Sequence, residues 1–163
     1  MKNNRLKVNM ITQAALIAAL YVVLTIICNS MGLASGVIQV RFSECLTVMA
    51  YFTPAAIPGL FIGCLLSNIL GGCVILDIIF GSLATLIGAL GTWYLRRFTH
   101  WLAPLPPILS NMIIVPFVLR YAYGLEQAWW FMVVTVGIGE IISCGILGQL
   151  LLKALEPKAS RIF

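Results

Sequence analysis

The stretch GVIQVRFSECLTVMAYFTPAAIPGLFIGCLLSNILGG, residues 36–72, contains the features that decide the fold. It places Arg41 and Glu44 three residues apart, beside long apolar runs. Residues three apart on a helix share one face, and an ion pair next to hydrocarbon is energetically costly. Pro54 and Pro58 then interrupt the apolar run. We interpret this stretch as an entrance loop for a substrate, followed by two short membrane spans.

The composition of the chain is that of an integral membrane protein. Of its 163 residues, 61% are hydrophobic and only 9% are charged, whereas a soluble domain carries about 25% charged residues. No polar stretch is long enough to form a second unit, so we expect residues 1–163 to form a single transmembrane domain. The net charge of +5 does not indicate nucleic-acid binding, because the charges lie between apolar segments and not on one soluble face.

Apolar runs with glycine and proline boundaries predict six transmembrane segments. The first run is long enough to span the bilayer, so we interpret it as a membrane span and not as a cleaved signal peptide. The second segment is short for a hydrocarbon core of ~30 Å, so we expect it to be tilted or partly interfacial. The predicted fold is an all-α integral membrane protein with a six-transmembrane-helix bundle. Its segments comprise residues 9–30, 42–52, 55–70, 76–95, 106–123 and 126–155.

The distribution of lysine and arginine predicts the orientation of this bundle. With an even number of segments, both termini lie on the same side of the membrane. Basic loops are retained in the cytoplasm, so we expect a multi-pass protein of the bacterial plasma membrane with both termini in the cytoplasm. The basic residues on that side are Lys2, Arg5, Lys7, Arg96, Arg97, Lys153, Lys158 and Arg161, whereas the outer side has only Arg41 and Arg120.

Polar residues within the apolar segments are the candidates for substrate binding. A carboxylate near the bilayer centre costs at least ~2.5–3.5 kcal/mol, so such a group is normally paired, protonated or exposed to a wet cavity. Glu140 has no basic neighbour in the sequence, and we interpret it as a ligand-binding residue. The full set of candidates is Glu140, Glu44, Asn111, Asn68, Arg41 and Asp77.

Several of these residues also have a structural interpretation. Glu44 fits a salt bridge with Arg41 inside the bundle equally well. Asp77 fits a cap of the fourth segment, where the helix dipole favours an acid. Asn68 and Asn111 fit hydrogen bonds that join neighbouring helices. The sequence leaves these alternatives open.

Tryptophans and alanines provide two further candidate surfaces. Trp129 and Trp130 fit an aromatic belt at the outer membrane surface, or a platform that stacks on a planar ligand. On the first segment, two overlapping Ala-x-x-x-Ala pairs fit either close packing inside the bundle or a flat docking surface for another membrane subunit. These pairs consist of Ala14, Ala15, Ala18 and Ala19.

The sequence contains no recognisable catalytic motif. It has no His-Glu-x-x-His, no Gly-x-Ser-x-Gly and no phosphate-binding loop. With His100 as the one histidine, metal-dependent chemistry is not indicated. We therefore expect neither an enzyme nor a cofactor. If the protein moves a solute uphill, the energy has to come from another subunit.

Several motifs together resemble one group of transporters. The chain is similar to the S components, the substrate-capturing membrane subunits of energy-coupling factor (ECF) importers, and among them to the QueT family, which is linked to uptake of queuosine precursors. The resemblance covers nearly the whole chain, and its most specific part is the block between Arg41 and Asn68. The motifs are TQAALIAALYVVLT (12–25), VRFSECLTVMAYFTPAAIPGLFIGCLLSN (40–68), LDIIFGSLATLIGA (76–89), SNMIIVP (110–116) and VGIGEIISCGILG (136–148).

This resemblance implies a fold, partners and a ligand. The fold is the six-helix S-component bundle, with a pocket open to the outside. The partners are a transmembrane coupling subunit, which docks on the alanine pairs, and two cytoplasmic ATPase subunits. The ligand is a 7-deazaguanine, such as queuine or a biosynthetic precursor of it, and carboxylates, amides and indoles suit its N–H groups, carbonyl and flat ring.

Three alternatives remain beside that function. The nearest is an S component for another small, vitamin-like metabolite. An intramembrane enzyme with Glu140 or Glu44 as general base is a second, and a purely structural subunit of a larger complex is a third. An enzyme should turn over alone, a capture subunit should bind its ligand alone, and a structural subunit should bind none.

Overall fold

The computed structural model describes residues 2–33 and 38–159, and these residues form helices joined by short loops, with no strand among them. The connection between the first two predicted segments therefore lies partly outside the described residues. The main elements are α1 (Lys2–Ser30), a 3₁₀ helix (Phe42–Tyr51), α2 (Ala56–Leu70), α3 (Ile75–Leu95), α4 (Leu105–Tyr121), α5 (Trp129–Glu140), a π-helical segment (Ile141–Leu147) and α6 (Gly148–Leu155). Two short 3₁₀ turns, His100–Leu102 and Glu156–Lys158, complete the chain.

The helices confirm the prediction of a multi-pass, all-α membrane bundle. Each of the six predicted segments corresponds to helical structure, and α5, the π-helical segment and α6 together form the sixth. Two segments are short, because α2 has 15 residues and the 3₁₀ helix has 10. At rises of ~1.5 and ~2.0 Å per residue, neither reaches across ~30 Å of hydrocarbon. The four stretches that are long and apolar enough to cross a membrane are Lys7–Ser30, Ile75–Leu95, His100–Tyr121 and Trp129–Lys158.

The 3₁₀ helix lies at the centre of the bundle. It packs against α1, α2, α3, the π-helical segment and α6. Its Leu46 and Ala50 join a buried cluster that includes Ile17 and Leu60, and Val48 packs with Leu152 on its other side. Such helices rarely exceed four residues because their hydrogen bonds are strained. Here the packing of the surrounding helices stabilises a 3₁₀ helix of ten residues.

Small residues bring α1 and α2 into backbone contact. A Cβ atom added to Gly59 would lie 2.7 Å from the carbonyl oxygen of Ala14, and one added to Gly63 would lie 3.1 Å from the Cα of Ala18. In lipid, where no hydrophobic force drives helices together, such close approach provides the packing energy. This stripe of α1 is therefore largely covered by α2.

The loop before the 3₁₀ helix is fixed to the sixth predicted segment. A Cβ atom on Gly139 would collide with the carbonyl oxygen of Gln39. The backbone N–H of Arg41 donates a hydrogen bond to Ser143 Oγ at 3.1 Å, and that of Phe42 contacts Cys28 Sγ at 3.0 Å. These contacts hold residues 39–42 between α1 and the π-helical segment, and they position the side chains of the candidate site.

Candidate functional site

A polar cluster occupies the interior of the bundle. The 3₁₀ helix contributes Glu44, α1 contributes Tyr21, α4 contributes Asn111, and Glu140 ends α5. All four side chains are buried. The hydroxyl of Tyr21 donates a short hydrogen bond to Glu44 Oε1. The cluster thus joins elements that are far apart in sequence.

The two carboxylate oxygens of Glu44 differ in their hydrogen bonding. Oε1 accepts from Tyr21, whereas Oε2 has no hydrogen-bond partner of normal geometry among the described residues. Glu44 is only 2% exposed, and Asn111 lies near both Glu44 and Glu140. A buried acceptor without a partner is costly in free energy. Oε2 is therefore an atom that a ligand donor would stabilise.

Glu140 lies beside Glu44 and contacts a thiol. Cys144 lies one helical turn after Glu140, and its Sγ is 3.2 Å from Glu140 Oε2, to which the thiol donates. The same Sγ is 3.4 Å from the backbone oxygen of Glu44. One carboxylate oxygen from each glutamate and the Cys144 sulfur lie within 4.8 Å of one another. Carboxylate and thiolate ligands suit zinc, so within the described part of the chain these three residues are the candidates for holding a metal ion.

Two adjacent cavities lie beside this cluster. The outer cavity, which we call the vestibule, has a volume of about 510 Å³ and opens where α1 and α2 end and α3 begins. The inner pocket has a volume of only about 20 Å³, and its lining includes Glu44, Asn111 and Glu140. A pocket of that size holds about one water molecule. Gln39, Arg41 and Val115 line both cavities, so these residues form the boundary between the vestibule and the pocket.

Asp77 lies in the wall of the vestibule. It occupies the first turn of α3, where the helix dipole favours an acid, but no side chain caps that helix. Instead, Oδ2 of Asp77 accepts a hydrogen bond of 2.8 Å from the hydroxyl of Tyr123. Burial and this hydrogen bond raise the pKa of Tyr123 above its usual value. Burial and the charge of Asp77 likewise raise the pKa of the neighbouring Cys73 thiol.

The structure brings most of the predicted site residues together. Arg41, Glu44, Asn111 and Glu140 line the inner pocket, and Asp77 with Arg41 lines the vestibule. Asn68 lies behind Asp77, because its amide nitrogen is 3.4 Å from the Asp77 backbone oxygen. It is buried and joins α2 to α3, as the interpretation of asparagine as a link between helices expects.

The two tryptophans lie elsewhere. Trp129 packs edge-on against Phe117 with ring centroids 4.3 Å apart, and Trp130 is 69% exposed. Neither residue lines the vestibule or the inner pocket. Both begin α5, a position typical of a belt residue at the membrane surface.

Sequence reasoning missed four residues of the site, namely Tyr21, Gln39, Tyr123 and Cys144. Tyr21 stands inside an apolar helix, and a buried phenol normally needs a hydrogen-bond partner. That signal could have identified Tyr21 as a site residue, but it does not identify its partner, Glu44, which is 23 residues away. Tyr123 and Cys144 had weaker signals, because terminal tyrosines and buried cysteines are common in membrane helices.

The alanines of α1 divide between two environments. Ala18 is buried and Ala14 half-buried, and both face the glycines of α2. Ala15 and Ala19 are exposed. An open apolar groove of about 640 Å³ runs along this surface, with Pro58 and Ile62 of α2 on its other side. We call it the α1–α2 groove.

Comparison with known proteins agrees with the fold and the motifs. The family model described as the QueT transporter matches residues 11–157. A protein from Lactococcus lactis subsp. cremoris (strain MG1363), the queuosine precursor transporter QueT, is 39% identical over 89 residues, which cover 54% of this chain and 52% of that protein. The match thus spans about half the length of this curated relative.

No solved structure matches the chain significantly. The family match, by contrast, extends from Ile11 in α1 past the end of α6 and includes every residue that lines the inner pocket. It confirms the resemblance to the QueT family noted in the motifs, and a transporter family agrees with the expectation that the chain is not an enzyme. The chain belongs to the QueT transporter family.

Proposed function

We propose that this protein is the substrate-capturing subunit of an ECF importer and that its ligand is a queuosine precursor with a 7-deazaguanine ring. The observation that carries the proposal is the buried Oε2 of Glu44, which has no hydrogen-bond partner among the described residues and lies in the small inner pocket next to the open vestibule. The name of the Lactococcus relative supports the ligand class. Residues Glu44, Glu140, Asn111, Asn68, Arg41 and Asp77 are the proposed binding residues, while Trp129 and Trp130 remain outside the cavities.

The chemistry of the inner pocket suits the amide edge of such a ring. A 7-deazaguanine presents adjacent ring and exocyclic N–H groups, and a carboxylate accepts two such donors side by side. Glu44 has a free oxygen for this purpose, and Glu140 is next to it. The amide of Asn111 can donate to the carbonyl of the ring. Glu44, Glu140 and Asn111 thus complement the N–H donors and the carbonyl acceptor on one edge of the ring.

The dimensions of the cavities suggest how the ring enters. The vestibule, at about 510 Å³, falls within the usual range of ~300–1,000 Å³ for small-molecule sites. The inner pocket, at about 20 Å³, is too small for a bicyclic ring. We propose that the ring rests in the vestibule and that the side chains of Gln39 and Arg41 move aside, so that the amide edge reaches Glu44.

The α1–α2 groove is the proposed docking surface for the coupling subunit. Ala15 and Ala19 are exposed there, and small side chains allow a partner helix to approach closely. The chain has no nucleotide-binding motif, so the proposed complex also contains two cytoplasmic ATPase subunits. We further propose that both termini lie in the cytoplasm and that the vestibule opens to the outside.

Calorimetric titration of the purified protein tests the ligand. We expect saturable binding, one ligand per chain, for 7-deazaguanine queuosine precursors, and none for thiamine, riboflavin, biotin or Zn²⁺. Tight binding of a vitamin instead would favour an S component of different specificity. Conversion of the ligand by the isolated protein would indicate an enzyme, and binding of Zn²⁺ alone would assign Glu44, Glu140 and Cys144 to a metal. Binding of no compound would leave a structural role.

A further inference from the structure

A group of exposed basic and aromatic side chains lies at the end of the bundle opposite the vestibule. The vestibule opens where α3 begins, whereas this group follows the end of α3, a helix of 21 residues and therefore ~30 Å long. None of its members lines the vestibule or the inner pocket, so the proposed ligand does not account for them. We call the group the basic–aromatic surface, and it consists of Tyr94, Arg96, Arg97, Phe98, Trp101 and Lys153.

Each of the three cations of this surface lies over an aromatic ring. A cation over the face of a ring is attracted by it, so the ring fixes the position of the charge. A ring covers only one face of a guanidinium and leaves the N–H groups at its edge available. Within the described part of the chain, no carboxylate pairs with any of the three cations. The distances from the charged group to the ring centre are 3.1 Å for Arg96 on Trp93, 4.5 Å for Arg97 on Tyr94 and 4.5 Å for Lys153 on Trp101.

The turn between α3 and α4 is fixed to the bundle, which gives the surface a defined shape. The hydroxyl of Thr92 donates a hydrogen bond of 2.7 Å to the backbone oxygen of Ala103. The amide of Gln149 on α6 donates to two consecutive backbone oxygens of the turn, at 2.9 and 3.3 Å. Lys153 lies one helical turn after Gln149 and therefore on the same face of α6. These contacts hold the ammonium of Lys153 over the ring of Trp101.

The position and the charge of this surface favour a lipid over a protein partner. The apolar span of α3 ends at Leu95, and the rings of Tyr94, Phe98 and Trp101 around this point are 58–64% exposed. Exposed aromatic rings beside cations, at the end of an apolar span, are typical of the level of the lipid headgroups. Of the five acids in the sequence, only Glu156 belongs to this end, so the surface carries excess positive charge.

We infer that the basic–aromatic surface binds the headgroup of an anionic phospholipid, such as phosphatidylglycerol, through its phosphate. The guanidinium edges of Arg96 and Arg97 and the ammonium of Lys153 donate charge-assisted hydrogen bonds to the phosphate oxygens. The exposed rings pack against the glycerol and the first methylene groups of the acyl chains. A zwitterionic headgroup carries a cation of its own, which these three cations repel. Each basic residue near an anionic lipid surface strengthens binding roughly fivefold.

Native mass spectrometry of the purified wild-type protein tests this inference. The protein is equilibrated in detergent with equal amounts of phosphatidylglycerol and phosphatidylcholine that have the same acyl chains. We expect at least fivefold more retained phosphatidylglycerol, a smaller preference at high salt and no displacement of the lipid by inorganic phosphate. Equal retention of the two lipids would overturn the inference without any variant. Displacement by inorganic phosphate would also overturn it, because the cations would then form a site for a free anion.

Substitutions that remove one cation at a time locate the lipid. Arg96→Gln and Lys153→Gln should each lower the preference for phosphatidylglycerol at least twofold, and the double variant should abolish it. Trp101→Leu keeps every cation but removes the ring beneath Lys153, so we expect a loss of about twofold from this variant. Arg120→Gln is the matched control, because it removes one exposed cation from the opposite end of the bundle and should keep the wild-type preference.

Thermal unfolding serves as the control for folding of these variants. A wild-type preference in the folded double variant, or the same loss of preference in Arg120→Gln, would overturn the inference. If the double variant kept its lipid but lost a protein that co-purifies with the wild type, the surface would be assigned to that protein instead. Titration with queuosine precursors should give the wild-type affinity in every variant, so the outcome is independent of the proposed ligand.

Discussion

At the scale of single residues, Glu44 and Glu140 differ in how their oxygens are used. One oxygen of Glu44 accepts a hydrogen bond from Tyr21, the other has no hydrogen-bond partner among the described residues, and the side chain is 2% exposed. Glu140, at 8% exposure, accepts from the Cys144 thiol, which is a weak donor. Glu44 therefore gains more from a strong ligand donor than the sequence alone indicates, since the sequence favours Glu140 for its lack of a basic neighbour.

Replacing either glutamate by glutamine is expected to weaken ligand binding at least tenfold without loss of the fold. Glutamine keeps the shape of the side chain but replaces one acceptor oxygen by an N–H donor, which would face the N–H groups of the ligand. An unmatched buried hydrogen bond costs ~1–3 kcal/mol, and a tenfold change in affinity needs only ~1.4 kcal/mol. Titration of purified Glu44→Gln and Glu140→Gln measures the effect.

Tyr21→Phe adds a graded test of the same site. Without the hydroxyl, Glu44 Oε1 loses its donor, so the carboxylate is less well oriented and we expect a smaller loss of affinity than for Glu44→Gln. Thermal unfolding of each variant serves as the control for folding. Wild-type affinity in both glutamine variants would assign the two carboxylates to the scaffold of the bundle.

At the scale of elements, α1 presents two stripes of alanine with different neighbours. All four line the α1–α2 groove, but Ala14 and Ala18 face Gly59 and Gly63 of α2, whereas Ala15 and Ala19 are exposed. The sequence allows both helix packing and docking of a partner for these pairs, but it does not tell which pair serves which role. Neighbouring alanines differ by 100° around a helix, and only the position of α2 decides which pair is covered.

Methionine at both Ala15 and Ala19 is expected to abolish co-purification of the coupling subunit and ligand uptake by cells, while the isolated protein keeps its ligand affinity. Longer side chains would fill the α1–α2 groove and hold a partner helix away. Methionine at Ala14 and Ala18 is the matched control, because it would collide with α2 and lower the temperature of unfolding. Co-purification of the partner with the Ala15 and Ala19 variant would contradict the proposed docking surface.

Other features of the elements were only partly predictable. Hydropathy together with Pro54, Pro58 and Gly71 locates the short segments, because these residues interrupt apolar runs. The 3₁₀ geometry of Phe42–Tyr51 and the π-helical segment Ile141–Leu147 have no such marker. Nothing in the order of their residues distinguishes one helix type from another, so we attribute these geometries to tertiary packing.

At the scale of the whole molecule, charge and aromatic residues mark one end of the bundle. The guanidinium of Arg96 lies 3.1 Å from the centre of the Trp93 ring, and the ammonium of Lys153 lies 4.5 Å from that of Trp101. The vestibule opens at the end where α1 and α2 finish. The same charge asymmetry that was read from the sequence therefore separates a basic surface from an acidic cavity.

Cys73 offers a measurement of this orientation. It lines the vestibule and is half-buried, so a membrane-impermeant maleimide added to intact cells should label it, and bound ligand should slow labelling. Because its pKa is raised, the reactive thiolate is scarce at neutral pH, and the rate should continue to rise as pH increases past the usual thiol range.

Cys73→Ser is the control for this labelling, and tags at both termini should be accessible only after the cells are permeabilised. Labelling of Cys73 only in permeabilised cells, or an external tag at either terminus, would contradict the proposed orientation. The hydrogen bond between Tyr123 and Asp77 in the vestibule wall could not be predicted from the sequence. The two residues are 46 positions apart, and no local sequence pattern encodes such a contact.

The central position of the 3₁₀ helix has a consequence for biogenesis. The translocon sorts nascent segments by their hydrophobicity, and a charged residue near the middle of a segment opposes release into lipid by ~2.5–3.5 kcal/mol. Phe42–Tyr51 has ten residues and includes Ser43, Glu44 and Thr47. We therefore expect it to stay at the membrane surface when synthesis stops after residue 52, and to insert once α2 has emerged and closed onto α1. The residues that form the ligand site thus make this helix depend on its neighbours for entry into the bilayer.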